Sequence, residues 1–457
     1  MSRTRNRLKP KGQAGLFDLA EGAAPPAHEE GGSAESGTMA WALQPSVVSE
    51  AIRLVKRNGG SAGVDGMTVH ELEAAWSLHG DRICQVLAAG TYVPQPLRSV
   101  TIPKPGGGER KLGILTVLDR VVQLMLLASL EPVFDPGFSD SSFGFRPGRS
   151  QHDAVRQAKA YVSSGYEWVV DLDVEKFFDR VNHDVLMTLV RKRITDRAML
   201  KTIRRFLSAG VLLDGVVVRP HEGTPQGGPL SPLLANILLD VLDKELESRG
   251  HRFVRYADDC NIYVRSESSA SRVLETTSRF LEVKLRLRVN RAKSAAAHVP
   301  ERRFLGFRFM RGGLGAWQVT ISDRSLERFK DKVREITSRV RRIPGKEMLS
   351  ELDRYVRGWA GYYARYYRAK AGVKQLDPWI RRRIRSWLWK QWKTPACRRR
   401  NLIRGGMHPY YATKAMYIHS TWKAAGNPAM MQCVTNERIR KGGFTSLREH
   451  WQRLAAW

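Results

Sequence analysis

The spacing of apolar positions changes character several times along the chain. After Ser46 they fall at Val47, Ile52, Leu54 and Val55, a helical stripe that Asn58-Gly59-Gly60 should stop. Between residues 60 and 320 short β-type runs mix with amphipathic helices. One run is Trp168–Val174, in which Trp168, Val169, Val170, Leu172 and Val174 are the bulky and β-branched residues of a buried strand. Another is FVRYADDCNIYVR at 253–265. Ser231 and Pro232 predict a helix start, with Ser as N-cap and Pro at the first helical position. Leu233, Leu234, Ile237, Leu238, Val241 and Leu242 form its buried stripe. From about residue 322 the chain turns helical, basic and aromatic. Phe329, Val333 and Ile336 share one helical face there, and Lys330, Lys332 and Arg334 fall elsewhere. The first 38 residues follow neither period. A basic start (Arg3, Arg5, Arg7, Lys9, Lys11) leads into GAAPPAHEEGGSAESG, too poor in large apolar residues to pack, which predicts a disordered tail.

The β-type runs carry acidic residues where an apolar strand has little use for them. Along Trp168–Val174, Asp171 and Asp173 share one face and Leu172 and Val174 the other. Asp258 and Asp259 are adjacent, so on a straight strand they would point to opposite faces. They serve one site only if a tight hairpin turns at Ala257-Asp258. With Asp173 brought beside that turn, the gathered carboxylates would repel one another until a divalent cation joined them, and hard Mg²⁺ suits oxygen ligands. Taken alone, such an Asp-Asp pair reads equally well as turn residues and helix caps.

Charge changes the picture more than composition does. Among 457 residues, 76 Lys+Arg against 45 Asp+Glu give a net charge of +31. That surplus calls for a polyanionic partner, since each neutralised phosphate releases counterions. In the last third the cations alternate with rings: Arg354, Arg357, Arg365, Arg368 and Lys370 with Tyr355, Trp359, Tyr362, Tyr363, Tyr366 and Tyr367. Any single ring there reads as helical core, and Arg381, Arg382, Arg383 and Arg385 are better candidates for RNA contact. Cys84, Cys260, Cys397 and Cys433 form no CxxC pair, which argues against a zinc knuckle or a disulfide framework. No apolar run reaches the roughly 20 residues of a membrane span, and with no signal-peptide pattern at the N-terminus an intracellular protein is expected.

Seven motifs follow in order: SVTIPKPGGGERKLGI, SSFGFRPGRSQHDAV, VVDLDVEKFFDRVNHD, GTPQGGPLSPLLANILLDVLD, RYADD, LRVNRAKS and FLGF. Together they resemble the reverse transcriptase/maturase proteins encoded by bacterial group II introns, over the stretch from about Trp41 to the C-terminus. The resemblance implies an α+β right-hand polymerase with fingers, an antiparallel-sheet palm and a helical thumb, followed by an α-helical maturase domain. The boundaries expected are 39–320 for fingers and palm, 321–400 for the thumb and maturase region, and 401–457 for the end of the maturase domain.

It also implies roles. Asp173, Asp258 and Asp259 would hold two Mg²⁺, with Mn²⁺ as a possible substitute. Lys104 and Arg110 would grip the incoming triphosphate with help from Arg146. Phe178 would lie under the deoxyribose, and Gln226 would contact the dNTP sugar and the templating pair. Leu305 and Gly306 would hold the primer terminus, although a plain core strand end fits them equally. Arg354, Arg357, Arg381, Arg382, Arg383 and Arg385 would meet RNA. One departure is Cys260, where many relatives place an aromatic. No paired cysteines with His and Asn ligands follow residue 402, so an HNH endonuclease is not expected.

The implied function is RNA-directed DNA synthesis joined to intron splicing and retrohoming. Its partners would be a structured intron RNA, an RNA template with DNA primer, target DNA and dNTPs, with no membrane involved and the protein monomeric or dimeric. The competing readings are a domesticated enzyme of phage defence or DNA repair, and a catalytically idle RNA-binding splicing factor.

Overall fold

A computed structural model describes residues 35–103, 109–213, 216–218, 222–224, 227–313, 315–366 and 370–455. The expected N-terminal tail therefore falls almost wholly outside the described residues, as do Lys104 and Gln226. Contacts divide the chain after Arg302 into two units.

The first unit carries two four-stranded sheets. One has the order β2-β1-β4-β5, from β1 (Leu97–Pro103), β2 (Glu109–Ile114), β4 (Val211–Leu213) and β5 (Val216–Val218). β1 runs antiparallel to β2 and parallel to β4. The other has the order β6-β7-β3-β8, from β3 (Trp168–Leu172), β6 (Arg252–Tyr256), β7 (Asp259–Val264) and β8 (Ala295–His298). Every pairing in this second sheet is antiparallel. The mixture of antiparallel sheet and packed helices is the α+β architecture that the periodicity calls for.

Local chemistry sets the helix limits. The first long helix spans Pro45–Asn58, beginning one residue before Ser46 because proline's fixed φ suits the first helical position. It ends at Gly59, whose φ of 63° is open to glycine at no steric cost. The Ser231–Ser248 helix likewise starts on Ser231 itself, with Leu230 at the cap position. Leu233, Leu234, Ile237, Leu238 and Leu242 are buried along it, as their stripe predicts.

The second unit opens with a hairpin of β9 (Phe307–Arg311) and β10 (Trp317–Ile321) and continues as helices, the longest being Asp323–Ile336, Gly345–Tyr363 and Lys370–Gln391. Its core gathers Phe329, Val333, Ile336, Leu352, Val356, Ile380, Ile384 and Trp387. The FLGF segment belongs to this helical unit and not to the sheets before it. Ser322 N–H donates to the Gly306 carbonyl at 3.0 Å, and the Tyr362 hydroxyl to the Leu305 carbonyl at 2.8 Å. Those bonds carry the observed division upstream of residue 320. Among the described residues no helix is long and apolar enough to cross a membrane.

Candidate active site

The carboxylates meet on the β6-β7-β3-β8 sheet. Tyr256 pairs with Asp259, so Ala257 and Asp258 are a two-residue loop between β6 and β7. Ala257 takes a left-handed φ of 57°, unusual for a residue with a Cβ. On the neighbouring strand Leu172 pairs with Cys260, and by that register Asp173, one residue beyond β3, comes beside Asp259. Leu172 and Val174 are buried and Asp171 and Asp173 half-buried, in the alternation that period two requires.

Asp173 is held from the side by the LRVNRAKS segment. Its N–H donates to the Ser294 hydroxyl at 3.0 Å, and its carbonyl accepts from Asn290 N–H at 2.8 Å. Lys293 Nζ stands 3.5 Å from Asp173 Oδ2. Asp171 is answered differently, by Arg302, which donates to its Oδ2 at 2.5 Å. Burial, and then the charges of Asp258, Asp171 and Asp173, push the Asp259 carboxyl up to about 7 against the opposing pull of Lys293. Asp259 remains exposed on its outer side, so a cation can reach it and relieve the mutual repulsion that adds to burial.

Among the described residues no group of three or more His, Cys, Asp or Glu side chains is gathered closely enough to hold a metal ion. Like charges stand apart until a cation offsets them, and the donor chemistry fits one: the neighbouring groups offer only carboxylate oxygens, the preference of hard divalent ions. A carboxyl raised by its fold takes up a proton more readily than the unfolded chain does. Its contribution to stability is therefore present at low pH and lost as pH rises through about 7. A bound divalent cation would remove that penalty. The rise in Tm on adding Mg²⁺ should be larger at about pH 8 than at about pH 5.5, and equal shifts in a thermal melt at the two values would contradict the coupling.

The turn is fixed from beneath by a fully buried pair. Arg255 Nη2 donates to Asp243 Oδ2 at 2.5 Å and to the Ser142 hydroxyl at 2.7 Å, and Nη1 donates to Asn236 Oδ1 and to the Ala257 carbonyl, each at 2.9 Å. Burial works against the Arg255 charge, but Asp243 outweighs it and holds the guanidinium above its ordinary value. Asn236 also donates to the Gly144 carbonyl at 2.9 Å, and a Cβ on Gly144 would strike the backbone of Ala257. Arg255 has a legible signal, a charge inside the apolar run FVRYA, but Asp243 and Asn236 lie within a stripe that otherwise reads as core. Cys260 is buried beside the turn, where burial pushes its thiol up.

Other expected residues are distributed as follows. Phe177 is buried and Phe178 half-buried, their rings 5.2 Å apart and edge-on. Arg110 lies in β2 opposite Ile102. Arg146 is not presented to a nucleotide. It is buried and donates to Asp135 Oδ1 at 2.7 Å and to the Ser139 carbonyl at 2.6 Å, so its fork braces this loop.

In the second unit Leu305 and Gly306 form the tight start of the hairpin, both at positive φ. Arg354 and Arg357 are exposed and Arg381 half-buried. Arg382, Arg383 and Arg385 are engaged within the unit. Arg382 lies over the Trp422 ring at 4.4 Å, Arg383 donates to the Thr337 hydroxyl at 3.0 Å, and the buried Arg385 donates to the Val434 carbonyl at 2.9 Å. The rings are mainly core: Phe329 packs on Tyr355 and Trp359 at 5.7 and 4.4 Å.

Residues 102–309 match the family described as reverse transcriptase (RNA-dependent DNA polymerase), and residues 326–406 match the group II intron maturase-specific domain. Protein YkfC of Escherichia coli is 33% identical over 309 residues, covering 59% of this chain and 81% of that protein. The chain belongs to the group II intron reverse transcriptase/maturase family. This reverse transcriptase is also 43% identical over 164 residues to the group II intron-encoded protein LtrA of Lactococcus lactis, a match covering 36% of this chain and 27% of LtrA. Nuclear intron maturase 1 of Arabidopsis thaliana is 42% identical over 89 residues, 20% of this chain and 12% of that protein. The chain thus spans well under two thirds of the LtrA and Arabidopsis proteins. Reverse transcriptase domains of this family generally use divalent metal ions and act on a template and primer, and the maturase domain implies binding to RNA.

Proposed function

We propose that this reverse transcriptase copies an RNA template from a DNA primer with Mg²⁺ held by Asp173, Asp258 and Asp259, and that its helical unit binds a structured intron RNA to promote splicing and retrohoming. The observation that carries the catalytic half is the meeting of the Tyr256–Asp259 turn with Asp173 on adjacent strands. When bound, two such ions would lower the pKa of a primer 3′-hydroxyl and offset charge on the leaving pyrophosphate.

The chain's own residues supply the rest. Lys104 and Arg110 grip the triphosphate, the arginine fork matching phosphate oxygens. Gln226 contacts the nucleotide, and Leu305 with Gly306 places the primer end. Fingers and palm fall within residues 39–302, and thumb and maturase functions follow in the second unit. Arg354 and Arg357 are the RNA contacts best supported by their exposure, and the half-buried Arg381 is a further candidate. The protein works in a cytoplasmic ribonucleoprotein. Extension of a DNA primer on an RNA template, with purified protein, dNTPs and Mg²⁺, tests the reading, and no extension with either Mg²⁺ or Mn²⁺ would overturn it.

Phe178 is the sugar gate. Its neighbour Phe177 is in the core, which supports the half-buried Phe178 as the ring that meets the nucleotide. Phe178→Ala should admit ribonucleotides, lowering the preference for dCTP over CTP by roughly 10²-fold, the scale at which a pocket excludes one extra group. Single-nucleotide incorporation kinetics would show it, and an unchanged ratio would remove Phe178 from the role.

A further inference from the structure

Phe178 lies in the short helical turn Phe177–Asp179, entered through Lys176 at a left-handed φ of 47°. A single turn of that length does not hold a ring in place by itself. A second chain segment is fastened along it. Thr224 N–H donates to the Phe178 carbonyl at 2.6 Å, and Gly223 N–H to the Val181 carbonyl at 2.8 Å. Gly223 in turn is tied back to the helix that follows the turn, because His183 Nε2 lies 2.5 Å from its carbonyl oxygen. A carbonyl only accepts, so Nε2 carries the proton, and His183 is buried where burial holds its pKa down and the ring neutral.

The fit at Gly223 leaves no slack. Its φ is +99°, and a Cβ there would stand 3.0 Å from the carbonyl oxygens of both Phe178 and Asp179. Glycine is needed for the close approach that lets Thr224 reach Phe178. The two segments thus form a closed loop of contacts, running from His183 to Gly223, from Thr224 to Phe178, and back along the chain through Val181.

We infer that His183 and Gly223 are positioning residues for sugar selection: they set how far the Phe178 ring stands into the nucleotide site, and so how strictly a 2′-hydroxyl is refused. The inference rests on Phe178 being the gate. It extends that reading to two residues that touch no substrate. Loss of one buried hydrogen bond lets the turn relax without unfolding the sheet behind it, and selectivity should change more than turnover does.

The test compares kcat/KM for dCTP and for CTP in full-length protein on an RNA template with a DNA primer. His183→Ala should lower the dCTP preference about fivefold to tenfold, the scale of one buried hydrogen bond, with kcat for dCTP within about threefold of wild type. His183→Gln, whose amide N–H can reach the same carbonyl, should restore the preference to within about twofold. Gly223→Ala, which presses on the Phe178 carbonyl without touching His183, should lower it as well and carries the test if His183→Ala does not fold. If Phe178→Ala relaxes selectivity while His183→Ala and Gly223→Ala leave it at the wild-type ratio, the positioning role is wrong and the gate stands. If Phe178→Ala itself changes nothing, the gate reading fails and takes the inference with it.

Discussion

Asp258→Ala should reduce primer extension by roughly 10³-fold or more while leaving RNA affinity within about twofold of wild type. Metal-borne stabilisation of charge in phosphoryl transfer is worth several kcal/mol, and each 1.36 kcal/mol is tenfold in rate. The expected thermal behaviour separates this loss from unfolding. In the metal-free protein Asp258 is one of the negative charges that push Asp259 up to about 7, so its removal relieves repulsion and the Tm without Mg²⁺ should hold or rise. The Tm gained on adding Mg²⁺ should shrink in the same variant, because an ion ligand has gone. A variant that extends primers at near the wild-type rate would sink the metal assignment. One that lost extension together with its cooperative melt would show only that the turn had collapsed.

Much of this site was legible because its residues are out of place by any structural standard. Asp173 follows a run of bulky apolar positions, and Asp258 and Asp259 interrupt another, and carboxylates set among apolar strand positions are costly enough to ask for a function. Phe178 is half-buried beside a buried Phe177, a difference that the Phe-Phe pair in the sequence does not reveal. What escaped notice depends on contacts between distant segments. Arg146 and Arg385 look in the sequence like any other surface cation, yet each is buried and donating to backbone carbonyls. No local pattern marks a guanidinium that folds inward. Gly223 could be read as a loop glycine, but its need for a positive φ, and for two carbonyls at its back, comes from the Phe177–Asp179 turn more than forty residues earlier. The observed division after Arg302 has the same origin, since it is contacts such as those of Tyr362 and Ser322 that show FLGF packing with the helices.

Asp243→Ala should be the most destabilising single substitution in the first unit. Arg255 and Asp243 are both fully buried, and removing one partner leaves the other charge uncompensated, at a cost of about 3–5 kcal/mol. A drop in Tm on the order of 10 °C follows for a unit of this size. Replacing both partners with apolar residues nearer their own volumes, Asp243→Val with Arg255→Met, removes that buried charge and should recover part of the lost stability. Activity should not return with it. The guanidinium also donates to the Ala257 carbonyl, to Asn236 and to Ser142, and those bonds hold Ala257 at its left-handed φ directly before Asp258. Without them the turn is free to leave a strained conformation that costs on the order of 1 kcal/mol or more, and the carboxylates no longer arrive together. The double variant is therefore expected to melt cooperatively, above Asp243→Ala but below the wild-type temperature because the Asn236, Ser142 and Ala257 acceptors lose their donor, while needing more Mg²⁺ for half-maximal extension and running more slowly at saturation. If wild-type stability and wild-type Mg²⁺ dependence returned together, the buried pair would serve the core alone, and the placing of Asp258 would have to come from the sheet register itself.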